Sequence, residues 1–294
     1  MKKTLLVLAM VLLVACFSVF AFAACNNTDN NTITMYTEAG FAPYEWMSSN
    51  GKITGVDVAI MSQVAENLGM KLNIKDVEFE SIPLMVKNGQ ANSVGAAGMT
   101  ISDSRKESVD FSHVYASSTI VIISKTKIES IGALGGKKVA VQLGTSGDLI
   151  MSAATTEAGY SYEIEEGDGS KTPVNIKVSA TVTQLNDYSV CRTYLENGNV
   201  DAIVMDKLPA EALFAGNNSV YITAANDLIE EDFGIAIKKG DTKMMEAVNE
   251  VIDLWLANGK MTQYTEYYTA LYKFETEKGE KPVAPEGLKL SWNC

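Results

Sequence analysis

Arg105 closes the run Gly95-Ala96-Ala97-Gly98-Met99-Thr100-Ile101-Ser102-Asp103-Ser104-Arg105, which continues as Lys106-Glu107-Ser108-Val109-Asp110-Phe111-Ser112. The first part of the run has almost no side chain, so another molecule can approach its backbone. Thr100 then adds a hydroxyl. Thr100 with Asp103, and Ser104 with Glu107, have capping-box spacing, which predicts a short helix with Arg105 in its first turn. A planar guanidinium beside a hydroxyl, small residues and free N–H groups is a receptor for one carboxylate. A second group of interest, Asp206, ends the apolar run Ala202-Ile203-Val204-Met205. The C-terminal end of a strand is where open α/β sheets hold their ligands, although Asp206 also suits the N-cap of a helix near Pro209.

A second segment is fit to meet the same carboxylate. Residues 137–147 read as strand, tight turn and helix start. A helix N-terminus offers unpaired N–H groups and partial positive charge. Thr145 and Ser146 fall there, and N-capping is compatible with such a contact. Gln142, at the end of the same strand, is placed to reach a ligand side chain.

The run from Ala97 to Tyr115 resembles the signature of the family 3 extracellular solute-binding proteins, which serve amino-acid ABC importers. Their pattern is roughly A-G-M-T-I-T-x-x-R-x-x-x-V-D-F-S-x-x-Y. The chain matches at Ala97, Gly98, Met99, Thr100, Ile101, Arg105, Val109, Asp110, Phe111, Ser112 and Tyr115, with Ser102 in place of a usual Thr. The resemblance implies that Arg105 clamps a ligand α-carboxylate with Thr100 and the Gly98 backbone. It also implies that Asp206, matching the last residue of G-x-x-D-A-x-x-x-D, binds the α-ammonium. Phe41 matches an aromatic that packs over the ligand side chain, while Tyr44 and Trp46 read as core. Glu38 matches a position that is acidic in several members binding amide or cationic side chains. It is either a specificity residue or a solvated loop residue.

The elements that must position these groups follow in order. Residues 32–37 read as a first strand. Val56, Ile60, Val64 and Leu68 recur every four residues, an amphipathic helix that Gly69 ends. A strand over 71–77, a helix over 82–88 closed by Gly89, and an apolar strand over 119–125 follow. One extra residue near Asn92 and Ser93 blurs the family's S-G-x-A-D match. Residues 159–173 read as a surface loop, 175–182 as a strand, 187–197 as a helix, and 220–224 as a returning strand. A helix over 242–257 and a Tyr-rich helix over 264–272 come last. Lys87-Asn88-Gly89-Gln90 and Glu196-Asn197-Gly198-Asn199 each end a helix and enter a strand. Gly98 and Asp206 follow these turns at nearly equal spacing, so two halves deliver contacts from the same place in a similar unit.

The implied architecture is α/β, a two-lobed periplasmic-binding-protein-like fold of type II. Each lobe would be a mixed sheet flanked by helices, and two strands would form the hinge. Lobe 1 is expected over 33–119 and 226–277, lobe 2 over 120–225, and a loose tail over 278–294. The matching function is extracytoplasmic binding of a free, polar L-amino acid and delivery to a permease with its ATPase, by a monomer without a cofactor or catalytic residues. A sensing or accessory binding protein, or a dehydratase-type enzyme on this scaffold, are the alternatives.

The chain has 294 residues, enough for two lobes, and a net charge of −12. So acidic a body, without a basic run, excludes nucleic acid as a partner. Residues 1–24 read as a secretion signal: Lys2-Lys3, an apolar run, then small residues. Ala23-Ala24-Cys25 resembles a lipobox, with Phe22 where Leu is usual. Leu13-Val14-Ala15-Cys16 matches it better by letters but would leave an apolar tail. Cys25 is followed by the polar tether 25–32, so lipidation at Cys25 and a place on the outer face of the membrane are expected. A disulfide between Cys191 and Cys294 is permitted outside the cytoplasm, but the sequence does not bring them together. No zinc-ligand spacing is present. His113, the only histidine, reads as a partly exposed loop residue.

Overall fold

The computed structural model describes residues 31–288 apart from 166, 168, 229 and 279. The signal, Cys16, Cys25 and Cys294 lie outside the described residues.

Thr32–Thr37 (β1) turns Ile33, Met35 and Thr37 inward on every second residue, the period of a half-buried strand. Gly40–Phe41 (β2), Glu45–Met47 (β3) and Ile53–Thr54 (β4) make a small three-stranded sheet. Val56–Leu68 (α1) follows and ends at Gly69, whose φ of 64° returns its N–H to Ala65 and Glu66, a left-handed cap. Lys71–Asp76 (β5) and, after Ile82–Asn88 (α2), Ser93–Gly95 (β6) pair in parallel with the two sides of β1. The extra residue before β6 is taken up at Asn92, which has a φ of 62°. Asp103–Lys106 (α3) and Asp110–Phe111 (β7) complete this passage.

The chain then crosses through Ala116–Ser118 (β8) into Ile120–Ser124 (β9), which is buried throughout. Lys138–Gln142 (β10), Ser146–Ala154 (α4), Tyr160–Glu165 (β11), Lys171–Ile176 (β12) and Thr181–Leu185 (β13) follow. Tyr188–Glu196 (α5), Ala202–Asp206 (β14), Lys207–Leu213 (α6) and Tyr221–Ala224 (β15) finish the second passage. Glu231–Phe233 (β16) crosses back antiparallel to β8, and Ala236–Ile237 (β17) rejoins the first sheet. Thr242–Ala257 (α7) and Lys260–Glu277 (α8) close the body.

The two large sheets have one design. The first runs β5-β1-β6-β17-β7 and the second β13-β10-β14-β9-β15. In each, three parallel strands carry the helical connections. The fourth place is taken by an antiparallel strand that the other crossing supplies. The last helices extend the core, as α7 buries Met244, Val248, Val251, Ile252 and Trp255 where it packs on α1 and α8. One apolar cluster runs from Ile33 and Met35 through Phe41 and Tyr188 to Ile203, so the two lobes share packed surface.

Three expectations are corrected. Residues 159–173 are not a loop: β11 and β12 form a six-pair antiparallel hairpin from Tyr160↔Ile176 to Glu165↔Lys171. Tyr160, Tyr162, Val174 and Ile176 pack against the second core, which outweighs the turn-forming Gly and Ser between them. The sheet strand expected at 175–182 is displaced to β13 for the same reason. At the Arg105 helix the cap is Ser102, whose Oγ accepts from Arg105 N at 3.4 Å, and Thr100 instead bridges to Phe233. Gly89 closes α2 as expected, in extended backbone. Cys191 lies wholly in the core, its thiol pushed up to about 12 by burial. His113 is exposed and its Nδ1 meets Asp253 at 2.9 Å.

Candidate functional site

The C-terminal ends of the parallel strands in both sheets converge. From β6 come Gly98 and Thr100, and α3 brings Arg105. From β10 come Gln142, Gly144, Thr145 and Ser146, and from β14 comes Asp206. Arg105 is buried, at 7% exposed. Its Nη1 donates to Thr100 O at 2.7 Å and its Nη2 to Gly144 O at 3.0 Å. The second bond crosses between lobes. Its guanidinium also lies over the Phe79 ring, 5.3 Å from the centroid, within cation–π range. Burial draws the guanidinium below its ordinary pKa, and the charges of Glu231 and Asp206 oppose that pull.

Thr100 Oγ1 and Ser146 Oγ are 2.9 Å apart, a further bond between the lobes. Thr145 caps α4, its Oγ1 accepting from Asp148 N at 3.3 Å and donating to Gln142 O at 2.7 Å. The capping expected of Thr145 is therefore present, and Ser146 is the first helical residue.

Asp206 is 5% exposed and sits at the N-cap position of α6 but makes no capping hydrogen bond with its side chain. Its Oδ1 has no hydrogen-bond partner among the described residues. Such an oxygen costs about 1–3 kcal/mol if nothing pairs with it. Burial first, then the charge of Glu231, pushes its carboxyl up to about 7, against the Ser118 hydroxyl and Arg105. A cation against that oxygen would relieve both penalties.

Gly98 has a φ of 53°, and its N–H donates to Asp57 Oδ2 at 3.0 Å. A Cβ on Gly98 would stand 2.5 Å from the Phe41 ring, so only glycine lets this aromatic lie under the loop. Phe41 stacks on Tyr188 of α5 with centroids 6.1 Å apart, an aromatic contact across the lobes. Tyr44 and Trp46 are buried in the core as expected.

Glu38 and Gln142 meet at the other end of the crevice. Gln142 is buried, donates from Nε2 to Asn186 O at 3.0 Å, and hydrogen-bonds Glu38. Glu38 is partly buried rather than solvated. Burial, with Asp76, Asp187 and Glu78 adding like charge, raises it to about 7. Glu38 and these three acids line a cavity of about 200 Å³ with Val77 and Asn186. Glu38 and Gln142 thus address a different region from Arg105 and Asp206, while Phe41 lies under the Gly98 loop.

Sequence reasoning missed Phe79, Tyr188, Asp76, Asp187 and Glu231. Glu231 lies on β16, for which the sequence offered no local signal, and its Oε2 accepts from Thr100 Oγ1 at 3.2 Å. Asp76 and Asp187 lie at the ends of β5 and β13, equivalent strands of the two sheets. That pairing is visible only once the sheet orders are known.

A two-lobed α/β body, joined by an antiparallel ribbon and carrying buried charged groups at the meeting strand ends, defines a bilobal solute-binding protein. Residues 33–270 match the bacterial extracellular solute-binding proteins, family 3, and the chain belongs to that family. It is 28% identical over 270 residues to the arginine-binding extracellular protein ArtP of Bacillus subtilis, covering 89% of this chain and 95% of the relative. It is 26% identical over 273 residues to the L-cystine-binding protein TcyJ of Escherichia coli, covering 90% and 94%. The solved structure of holo ArgBP from T. maritima superposes with a TM-score of 0.65 at 29% identity, covering 82% of this chain and 97% of that one.

Proposed function

We propose that the protein captures a free amino acid between its lobes, taken as 33–119 with 226–277 and as 120–225, and delivers it to an ABC importer. The observation that carries this reading is the pairing of a buried guanidinium from one sheet with a buried carboxylate from the other. Arg105, Thr100, Ser146 and the N–H groups near Gly98 and Thr145 receive the α-carboxylate. Asp206 receives the α-ammonium at its unpartnered Oδ1. Because the two poles are read by different lobes, the ligand favours the closed arrangement by differential contact. Micromolar binding needs only about −8 kcal/mol, within reach of a desolvated charge clamp.

The side chain is polar, and a cation fits best. Glu38, Asp76, Glu78 and Asp187 surround the cavity at the side-chain end, and positive charge there would offset their mutual repulsion. Two relatives, ArtP and an L-arginine-binding protein of Pseudomonas aeruginosa, are named for arginine. Anchoring through Cys25 and the 25–32 tether would hold this monomeric body beside its permease and ATPase.

A thermal-shift panel of the common L-amino acids, followed by calorimetry, tests this. Arginine or lysine should give the largest stabilisation and glutamate none. A preference for glutamate would reject the cationic side chain. Silence across the panel would reject amino-acid capture itself.

A further inference from the structure

Glu231 lies on the returning hinge strand β16, opposite Ser118 of β8. Its carboxylate points into the place just assigned to the ligand carboxylate. Oε2 accepts from Thr100 Oγ1 at 3.2 Å, and the Ser146 hydroxyl also donates to this carboxylate. Thr100 and Ser146 belong to different lobes and stand 2.9 Å from one another. Arg105 attracts the same carboxylate.

Each hydroxyl has one proton to give. With Thr100 and Ser146 both donating to Glu231, their two protons are spent on it, and their 2.9 Å approach is held by the shared acceptor. Neither is free for a second carboxylate while Glu231 holds its place. Two carboxylates at one such receptor also repel. A ligand carboxylate therefore replaces Glu231 at the hydroxyls.

We propose that Glu231 is an internal competitor of the ligand carboxylate: it draws Thr100 and Ser146 together across the crevice and lowers the affinity of the site. The inference rests on the reading of Thr100, Ser146 and Arg105 as the carboxylate receptor. It sets Glu231 apart from Asp206, whose unpartnered oxygen awaits a cation. Removing Asp206 weakens the ligand, whereas removing Glu231 strengthens it.

The test compares wild type, Glu231→Gln and Glu231→Ala, each checked for folding by circular dichroism. Calorimetry with L-arginine and with L-argininamide, which lacks the carboxylate charge, gives the first readout. Glu231→Ala should bind L-arginine about tenfold tighter and Glu231→Gln severalfold tighter, with little change for the amide. Weaker or unchanged L-arginine binding would overturn the proposal and place Glu231 in the ligand's own receptor or outside it. Small-angle scattering without added amino acid is the second readout. Glu231→Ala should have a larger radius of gyration than wild type, and an equal radius would overturn the cross-lobe role. If no variant binds any amino acid, the proposed function fails, and scattering still decides whether Glu231 joins the lobes.

Discussion

The two lobes solve one problem with different chemistry. In both, the first three parallel strands aim their C-terminal ends at the crevice. β1 and β10 deliver Glu38 and Gln142, β5 and β13 deliver Asp76 and Asp187, and β6 and β14 lead to Gly98 and Asp206. Each lobe also fastens a crevice glycine with an aspartate near the start of a helix. Gly98 N donates to Asp57 Oδ2 at 3.0 Å and Gly144 N to Asp148 Oδ2 at 2.9 Å. The surroundings differ. Asp148 is also bonded by Ser152 Oγ and Gln184 Nε2. Asp57 instead faces Glu45 and Tyr115 in the core. One scaffold has been used twice, and the residues at equivalent ends have diverged at two pairs, Glu38 against Gln142 and Gly98 against Asp206, while Asp76 and Asp187 keep the same charge. The guanidinium of Arg105 is added by the helix that follows β6. On the proposed reading, Arg105 from one half and Asp206 from the other hold the two poles of a single small zwitterion.

The largest effects should come from removing either pole. Arg105→Ala is expected to weaken amino-acid binding by roughly 2–5 kcal/mol, as when one member of a buried charge pair is lost. Calorimetry that finds affinity within threefold of wild type would remove Arg105 from the site. Asp206→Asn should cost about 2 kcal/mol or more by the same logic, but selectively. Amino acids should lose far more than analogues lacking the amino group, and equal losses for both would end the division of poles between lobes.

A smaller pair of substitutions compares glycines of the two halves. Gly98→Ala meets both a positive φ and the Phe41 ring, so left-handed strain of roughly 1–2 kcal/mol adds to overpacking of about 1–3 kcal/mol. Gly198→Ala has a φ of 75° but nothing within 4 Å of the added carbon, so only the strain, roughly 1–2 kcal/mol, should appear in urea unfolding. If the two cost the same, the close packing of Phe41 beneath the Gly98 loop is not a constraint.

Much of this was readable in the chain. The hydroxyl, the guanidinium and the small residues before them sit within one short run, so Arg105 and Thr100 needed no tertiary information. The four-residue spacing of Val56 to Leu68 and the glycine after it specified α1 directly. What escaped depends on contacts between distant segments. The β11–β12 hairpin is carried by Tyr and Val side chains finding the second core, while its turn residues dominate the local composition. Thr100 fits a capping box by spacing, but its backbone is taken by Phe233 and its hydroxyl by Ser146 and Glu231. Asp76, Asp187 and Glu231 have no local signature, because their charges matter only where two sheets meet.

The smallest effect distinguishes the Asp57 anchor by its pH dependence. Glu45 and Asp57 are wholly buried. Burial pushes Asp57 up to about 6, against hydrogen bonds from Gly98, Tyr115 and Glu45, and holds Glu45 well above its usual value, aided by the charge of Asp57. Both folded pKa values lie above their unfolded ones, so between them the native state keeps protons that the unfolded chain has released. Stability from this pair is full below the unfolded values of about 4 and is lost as pH rises from there through the folded ones, about 6 for Asp57 and higher than its usual value for Glu45. Glu38 and Asp206, each raised to about 7, act in the same direction from the crevice. Urea unfolding should therefore give a higher midpoint at pH 5 than at pH 8. Glu45→Gln, which keeps a donor towards Asp57 and cannot ionise, should reduce that difference without abolishing it. A variant with the full wild-type slope would mean that the crevice carboxyls, rather than the anchor beneath Gly98, carry the pH response.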